Sequence, residues 1–226
     1  MTITLRSTKG TALTYSEMDE NFRDLRFDTT LQRAATNGNT ITGNISVTGK
    51  VIYPGAVLQV VHTTKTNSFT GTSVVDNGGY CVDVTGLSAT IPPTLSTSRI
   101  LILTQLYVGS QTTGSEYQQT YRLKKTVGGV TSFPVVGDAE GGRPRSTGTI
   151  NMYNVGASAS QYNISSLAGT HQDSPATTSA ITYQVQLGGY SSAPAVFLNR
   201  SGAFQVLAND YDAVPVSTIT LMEIAV

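Results

Sequence analysis

A chain of 226 residues is long enough for one large β domain or for a domain with an appendage. Only 12% of the residues are charged, about half the usual quarter, and 14 Lys and Arg balance 14 Asp and Glu. With no net charge there is no field to steer the protein onto nucleic acid or an anionic membrane, so neither partner is expected. Surface polarity must come from Thr, Ser, Asn, Gln and Gly. The single cysteine, Cys81, excludes an intramolecular disulfide and reads as a buried, inert thiol between Tyr80 and Val82. The start of the chain, MTITLRSTKG, has no apolar core of a secretory signal. The longest apolar run, Ile100–Leu103, is far too short to cross a bilayer, so no membrane insertion is expected.

In chain order, Thr14-Tyr-Ser-Glu17 reads as a capping box that opens a helix over about 14–27. Tyr15, Met18, Phe22 and Leu25 form its apolar stripe, and about twelve residues are too few to stay helical undocked. Residues 1–37 are therefore expected to anchor the chain on something else. Asn37-Gly38-Asn39 is a turn signal. Thr40–Tyr53 then alternates strictly, with Ile41, Ile45, Val47 and Val51 on one face and Thr, Asn, Ser and Lys on the other. Fully extended, it would reach roughly 45 Å. A lone strand leaves its backbone unpaired, so residues 38–55 read as a short shaft that pairs with copies of itself. Pro54-Gly55 ends it.

From residue 56 to 226 the pattern is strands and turns. Expected strands are Val57–Thr64, Tyr80–Val84, Ala89–Ile91, Arg99–Val108, Tyr117–Lys125, Val130–Val136, Thr149–Val155, Ala180–Leu187, Ala195–Leu198 and Ser217–Val226. Arg99–Val108 is apolar on both faces and reads as a central strand covered on both sides, by its own core and by a subunit interface. Gly128-Gly129 marks a hairpin, and Gly137–Gly148 the longest loop of the head. Many short strands with Gly, Asn, Asp and Pro turns indicate a mainly β protein. Its parts would be a short N-terminal helix, a short β shaft and an antiparallel β-sandwich or jelly-roll-like head, assembled as a homotrimer.

No phosphate-binding loop, nucleophile elbow, metal-ligand spacing or dinucleotide fingerprint is present, so catalysis, cofactors and metals are not expected. His62 lies in a strand-like run as a packed or interface residue; His171 lies in an expected loop, Leu167–Pro175, beside Asp173. Asp138/Glu140 and Asp210/Asp212 read as turn-capping carboxylates, and Arg122, Lys124 and Lys125 as a solvated strand face. Of the two expected loops, Gly137–Gly148 brings Arg143 and Arg145, suited to acidic sugars, and the other brings His171 and Asp173. These four are the candidate receptor contacts, since recognition favours loops on a rigid scaffold.

The segment LTYSEMDENF (13–22) resembles the N-terminal motif of tail-fibre and related virion proteins of marine phages, notably cyanophages. GDAEGGRPRSTG (137–148), DSPATTSAITYQVQ (173–186), FLNRS (197–201) and STITLMEIAV (217–226) resemble the head region of such proteins. The resemblance implies a homotrimeric fibre or spike in the virion, assembled in the host cytoplasm and held to other virion proteins by its N-terminus. Its β head would contact a host-surface glycan or protein. The rival expectation is a capsid, collar or baseplate decoration protein with no receptor role, because the shaft is short for a fibre.

Overall fold

The computed structural model describes residues 10–16, 18, 52–76, 79–109, 116–153, 162–189, 195–203 and 213–226. The chain divides into two units, Met1–Gly49 and Lys50–Val226. In the first, Tyr15, Ser16 and Met18 are helical, and Met18 N donates to Thr14 O at 3.0 Å. Phe22 and Leu25 of the expected anchor lie outside the described residues, as do Ile41, Ile45, Val47 and Val51 of the expected shaft.

The described part of the second unit contains β1 (Val57–Lys65), β2 (Phe69–Thr72), β3 (Val74–Asp76), β4 (Gly79–Ile91), β5 (Arg99–Gly109) and β6 (Glu116–Val127). It continues with β7 (Val130–Ser132), β8 (Gly148–Tyr153), β9 (Ile164–Asp173), β10 (Ile181–Gly188), β11 (Ala195–Leu198) and β12 (Ser217–Ile224). All pairings are antiparallel. One sheet runs β1-β12-β5-β9, and the short β2 and β11 extend it beside the end of β5. The other runs β4-β10-β6-β8, with β3 and β7 at its margins. The strands of six residues or more are β1, β4, β5, β6, β8, β9, β10 and β12. Numbered along the chain as first to eighth, they pair as 1-8-3-6 and 2-7-4-5. That order makes the sandwich a jelly roll.

Alternation explains why these residues form these strands. β5 buries Ile100, Ile102, Leu106 and Val108 between the sheets, and β12 buries Ile219 and Leu221 beside them. β10 contributes Ile181, Tyr183, Val185 and Leu187 from the facing sheet. Cys81 is buried. Gly128 and Gly129, at φ 55° and 83°, form the two-residue turn between β6 and β7, the left-handed geometry that suits strand twist.

Three expectations about the strands change. The pieces Tyr80–Val84 and Ala89–Ile91 are one strand, β4, whose register against β10 shifts between Asp83 and Ser88 instead of breaking at a turn. Gly86 has φ 82°, and the Gln184 side chain donates to Val84 O and Leu87 O, satisfying the displaced backbone. β7 stops at Ser132, since Pro134 has no N–H to continue a ladder. β5 is central as expected: one face is core, and Leu101, Leu103 and Tyr107 on the other are half-buried in the single chain. The expected loop Leu167–Pro175 is mostly strand: β9 pairs with β5 from Ile100↔Asp173 to Gly109↔Ile164.

Candidate functional site

The outward face of the sheet β1-β12-β5-β9 is built in rows by its register. One row is Val60–Met222–Leu101–Gln172, the next His62–Thr220–Leu103–Thr170, and the next Thr64–Thr218–Gln105–Ala168. The first row is largely apolar; the other two carry hydroxyl, amide and imidazole groups. Between β12, β5 and β9 lies a groove of about 500 Å³. Leu103, Gln105, Ala168, Thr170, Thr218 and Thr220 line it, with Thr104 and Gly169 beneath. The side chains are small on both flanks, which is why the surface dips there. His62 is exposed on this face rather than packed. Its ring nitrogens bond to Thr220 Oγ1 and Thr64 Oγ1, both at 2.8 Å. Gln105 Nε2 donates to Ser166 Oγ at 2.7 Å, and Tyr107 is the next outward residue of β5.

Below the groove, polar side chains cross between the sheets. Tyr121 Oη bonds to Thr104 Oγ1 at 3.1 Å and to His171 Nε2 at 2.7 Å. Gly169 leaves this junction its room, because a Cβ there would lie 2.3 Å from both the Tyr121 hydroxyl and His171 Nε2. Burial holds the His171 imidazole below its ordinary value of 6.5, which favours the neutral ring. Burial also pushes the Tyr121 hydroxyl above its usual range, against the hydrogen bond to Thr104. Two residues along β9, Asp173 Oδ2 accepts from Lys125 Nζ at 2.8 Å and from the Tyr183 hydroxyl at 2.7 Å. Burial, then the Asp173 contact and its charge, raise the Tyr183 hydroxyl so far that it stays protonated.

Two of the candidate receptor contacts are therefore misplaced by the sequence reading. Asp173 is 8% exposed and His171 half-buried, both turned inward from β9, so neither is a loop group open to a receptor. Their inward positions carry polar residues, which hides the strand's alternation. The solvated-face reading of Arg122, Lys124 and Lys125 fails for a related reason. Arg122 is 2% exposed, donates to Gln186 Oε1 at 2.6 Å, and lies 4.0 Å from the centre of the Phe133 ring. Lys124 pairs with Asp83, and Lys125 with Asp173.

The loop between β7 and β8 is a loop as expected. Gly137 N donates to Ser146 O at 3.2 Å, closing its base. Arg145 is exposed, and its Nε donates to Gly137 O at 2.6 Å across the loop. Arg143 is 74% exposed and pairs loosely with Glu140 at 3.6 Å. Asp138 and Glu140 are exposed there, while Asp210 and Asp212 lie outside the described residues. The two arginines lie between β7 and β8, whereas His171 and Asp173 lie on β9. Among the described residues no three His, Cys, Asp or Glu side chains gather to hold a metal.

Sequence reading missed Glu223, which is fully buried in β12. Its carboxylate accepts from Thr94 N, Leu95 N, Ser98 Oγ and Gln59 Nε2 at 2.6–3.1 Å, so the β4–β5 connection wraps around it. Burial opposes its ionisation, but these hydrogen bonds win and hold it below the ordinary value of 4.5. The available signal was one acid at an inward position of an otherwise apolar alternation.

No protein-family model matches the chain, and no curated protein matches it. Among solved structures it is similar to the VP2 subviral particle of infectious bursal disease virus. That match has 10% identity and a TM-score of 0.30, over 84% of this chain and 43% of the other. It is similar to the Gx strain of the same virus at 10% identity and a TM-score of 0.34, over 83% and 47%. It is also similar to the BppUct-A-L tripod from the baseplate of bacteriophage Tuc2009, at 11% identity and a TM-score of 0.28, over 98% and 96%. The chain spans less than half the length of the bursal disease virus chains it matches. Likenesses this distant assign no role.

Proposed function

We propose that the protein is a structural component of a phage virion, a tail fibre or spike. Its N-terminal segment would attach it to other virion proteins, residues 38–55 would join copies as a homotrimer, and the jelly-roll head would bind a host-surface glycan or protein. The observation that carries this reading is the resemblance of four C-terminal stretches, 137–148, 173–186, 197–201 and 217–226, to phage tail-fibre heads. The jelly roll agrees with it by analogy of fold alone, since this strand order serves viral capsid and lectin domains. The role is binding, with no catalysis, and three heads held together would multiply a weak single contact.

A second reading, a decoration or adaptor protein that touches only virion proteins, is favoured by one feature: the Val60–Met222–Leu101 row is apolar and faces outward. Adsorption separates the two. Virions lacking the protein should assemble and lose host adsorption if the head binds the host; intact adsorption favours decoration. Phe22→Asp should leave a folded head in solution and virions without the protein. Sedimentation of the purified chain at micromolar concentration should give the trimer mass, and a monomer alone would overturn the trimer.

A further inference from the structure

We propose that the groove between β12, β5 and β9 binds a neutral oligosaccharide. This deepens the host-binding reading and rests on it for the biological source of the sugar. The groove's volume, about 500 Å³, falls within the range of small-ligand sites. Its lining has the two kinds of surface a pyranose chain presents. Leu103 and Ala168 give apolar contact for C–H faces, while Thr170, Thr218 and Thr220 give hydroxyls and Gln105 a carboxamide. Gln105 donates through Nε2 to Ser166, and among the described residues nothing donates to its Oε1, which is left as an acceptor. His62 bonds to Thr220 from β1 and fixes one rim. Tyr107 extends the floor of the sheet along β5 beyond Gln105 and offers a ring for stacking.

Among the described residues, no Asp, Glu, Lys or Arg lines the groove. An anionic sugar would lose water there without gaining a counter-charge, so the groove should prefer an uncharged one. The exposed Arg143 belongs to a different surface, the loop between β7 and β8.

The test uses the full chain, with maltotetraose, mannotetraose and tetra-N-acetylchitotetraose as probes and tri-galacturonate as the charged comparison, by calorimetry and amide chemical shifts. At least one neutral probe should saturate below about 10 mM, with shifts at Gln105, Ala168, Thr170 and Thr220. Ala168→Arg, on an exposed edge position, should weaken it by at least about tenfold without changing the melting temperature. Gln105→Ala should weaken it several-fold. Silence from every neutral probe, preference for tri-galacturonate, or unchanged binding by Ala168→Arg overturns the proposal. So does dissociation of an assembled oligomer by Ala168→Arg, which would make the face a subunit interface. Adsorption to host cells distinguishes this failure from failure of the host-binding reading. Heads that adsorb normally with Ala168→Arg would refute the groove alone. Heads that bind a sugar and never adsorb would refute host attachment alone.

Discussion

Asp173 shows how one residue can hold two sheets. It sits on β9, and its partners Lys125 and Tyr183 sit on β6 and β10 of the facing sheet. Asp173→Ala would leave the Lys125 ammonium, whose side chain is 15% exposed, without its counter-charge. The expected loss is about 3–5 kcal/mol, read by denaturant unfolding. Adding Lys125→Met should recover part of it, since the stranded charge is then gone. An additive loss in the double variant would contradict the pairing. The buried acid and imidazole also set a pH dependence. The folded-state values of His171 and Glu223 both lie below their ordinary ones. In each case the unfolded chain takes up the proton first, so stability is full above the unfolded value and falls with pH. His171 acts as pH drops below 6.5 and Glu223 as it drops below 4.5. Melting temperatures from pH 8 downward should decline in two steps, and His171→Gln should remove the upper step while leaving the lower.

At the scale of the elements, the junction between β1 and β2 faces the junction between β11 and β12, and Asn199 ties both. Its Nδ2 donates to Lys65 O at 2.8 Å and to Asn67 O at 3.3 Å, while its Oδ1 accepts from Ser217 Oγ at 2.6 Å. Its backbone is left-handed, at φ 57°, which asparagine tolerates better than most residues. Asn199→Ala removes all three bonds, orphans buried carbonyls and strains the backbone. It should cost about 2–4 kcal/mol by denaturant unfolding, with Asn199→Gly relieving only the strain. The stretch FLNRS carries part of the phage resemblance, and the geometry explains its middle residue as a joint. That role was not legible beforehand. Nothing in the local pattern signals it, and only the approach of Lys65, Asn67 and Ser217 from distant parts of the chain shows what the amide serves.

For the whole molecule, the decisive contacts are the most distant ones. β12 lies between β1 and β5, and residues as far apart as His62 and Thr220 are bonded. Closing such loops precedes any gain from pairing, so folding should be slow for a chain this size, in milliseconds or longer. Removing residues 217–226 would strip the inner strand of one sheet and the Glu223 carboxylate that organises the β4–β5 connection. The truncated chain should show no cooperative thermal transition by circular dichroism. A sharp melt near that of the full chain would mean that the two sheets do not depend on β12.

The sequence by itself determined the class and most of the strands. Period-two alternation marks β6, β10 and β12 because their inward positions are largely apolar, a run apolar on both faces marks β5, and paired glycines mark the β6–β7 turn because they adopt its angles freely. It also placed Gly137–Gly148 in a loop, since Gly and Pro there cannot sustain a ladder. Tertiary structure decided the rest. Leu167–Pro175 reads as a loop because the inward residues Gly169, His171 and Asp173 are not apolar, and only the fold brings Tyr121, Lys125 and Tyr183 to them from the other sheet. Arg122 looked solvated until Phe133 covered it. The groove was invisible for the same reason: its lining comes from three strands far apart in sequence, and only the register between them places Gln105 between Thr218 and Ala168. Local pattern reports which way one strand faces; the partners across and beside it are set by pairing over the whole chain.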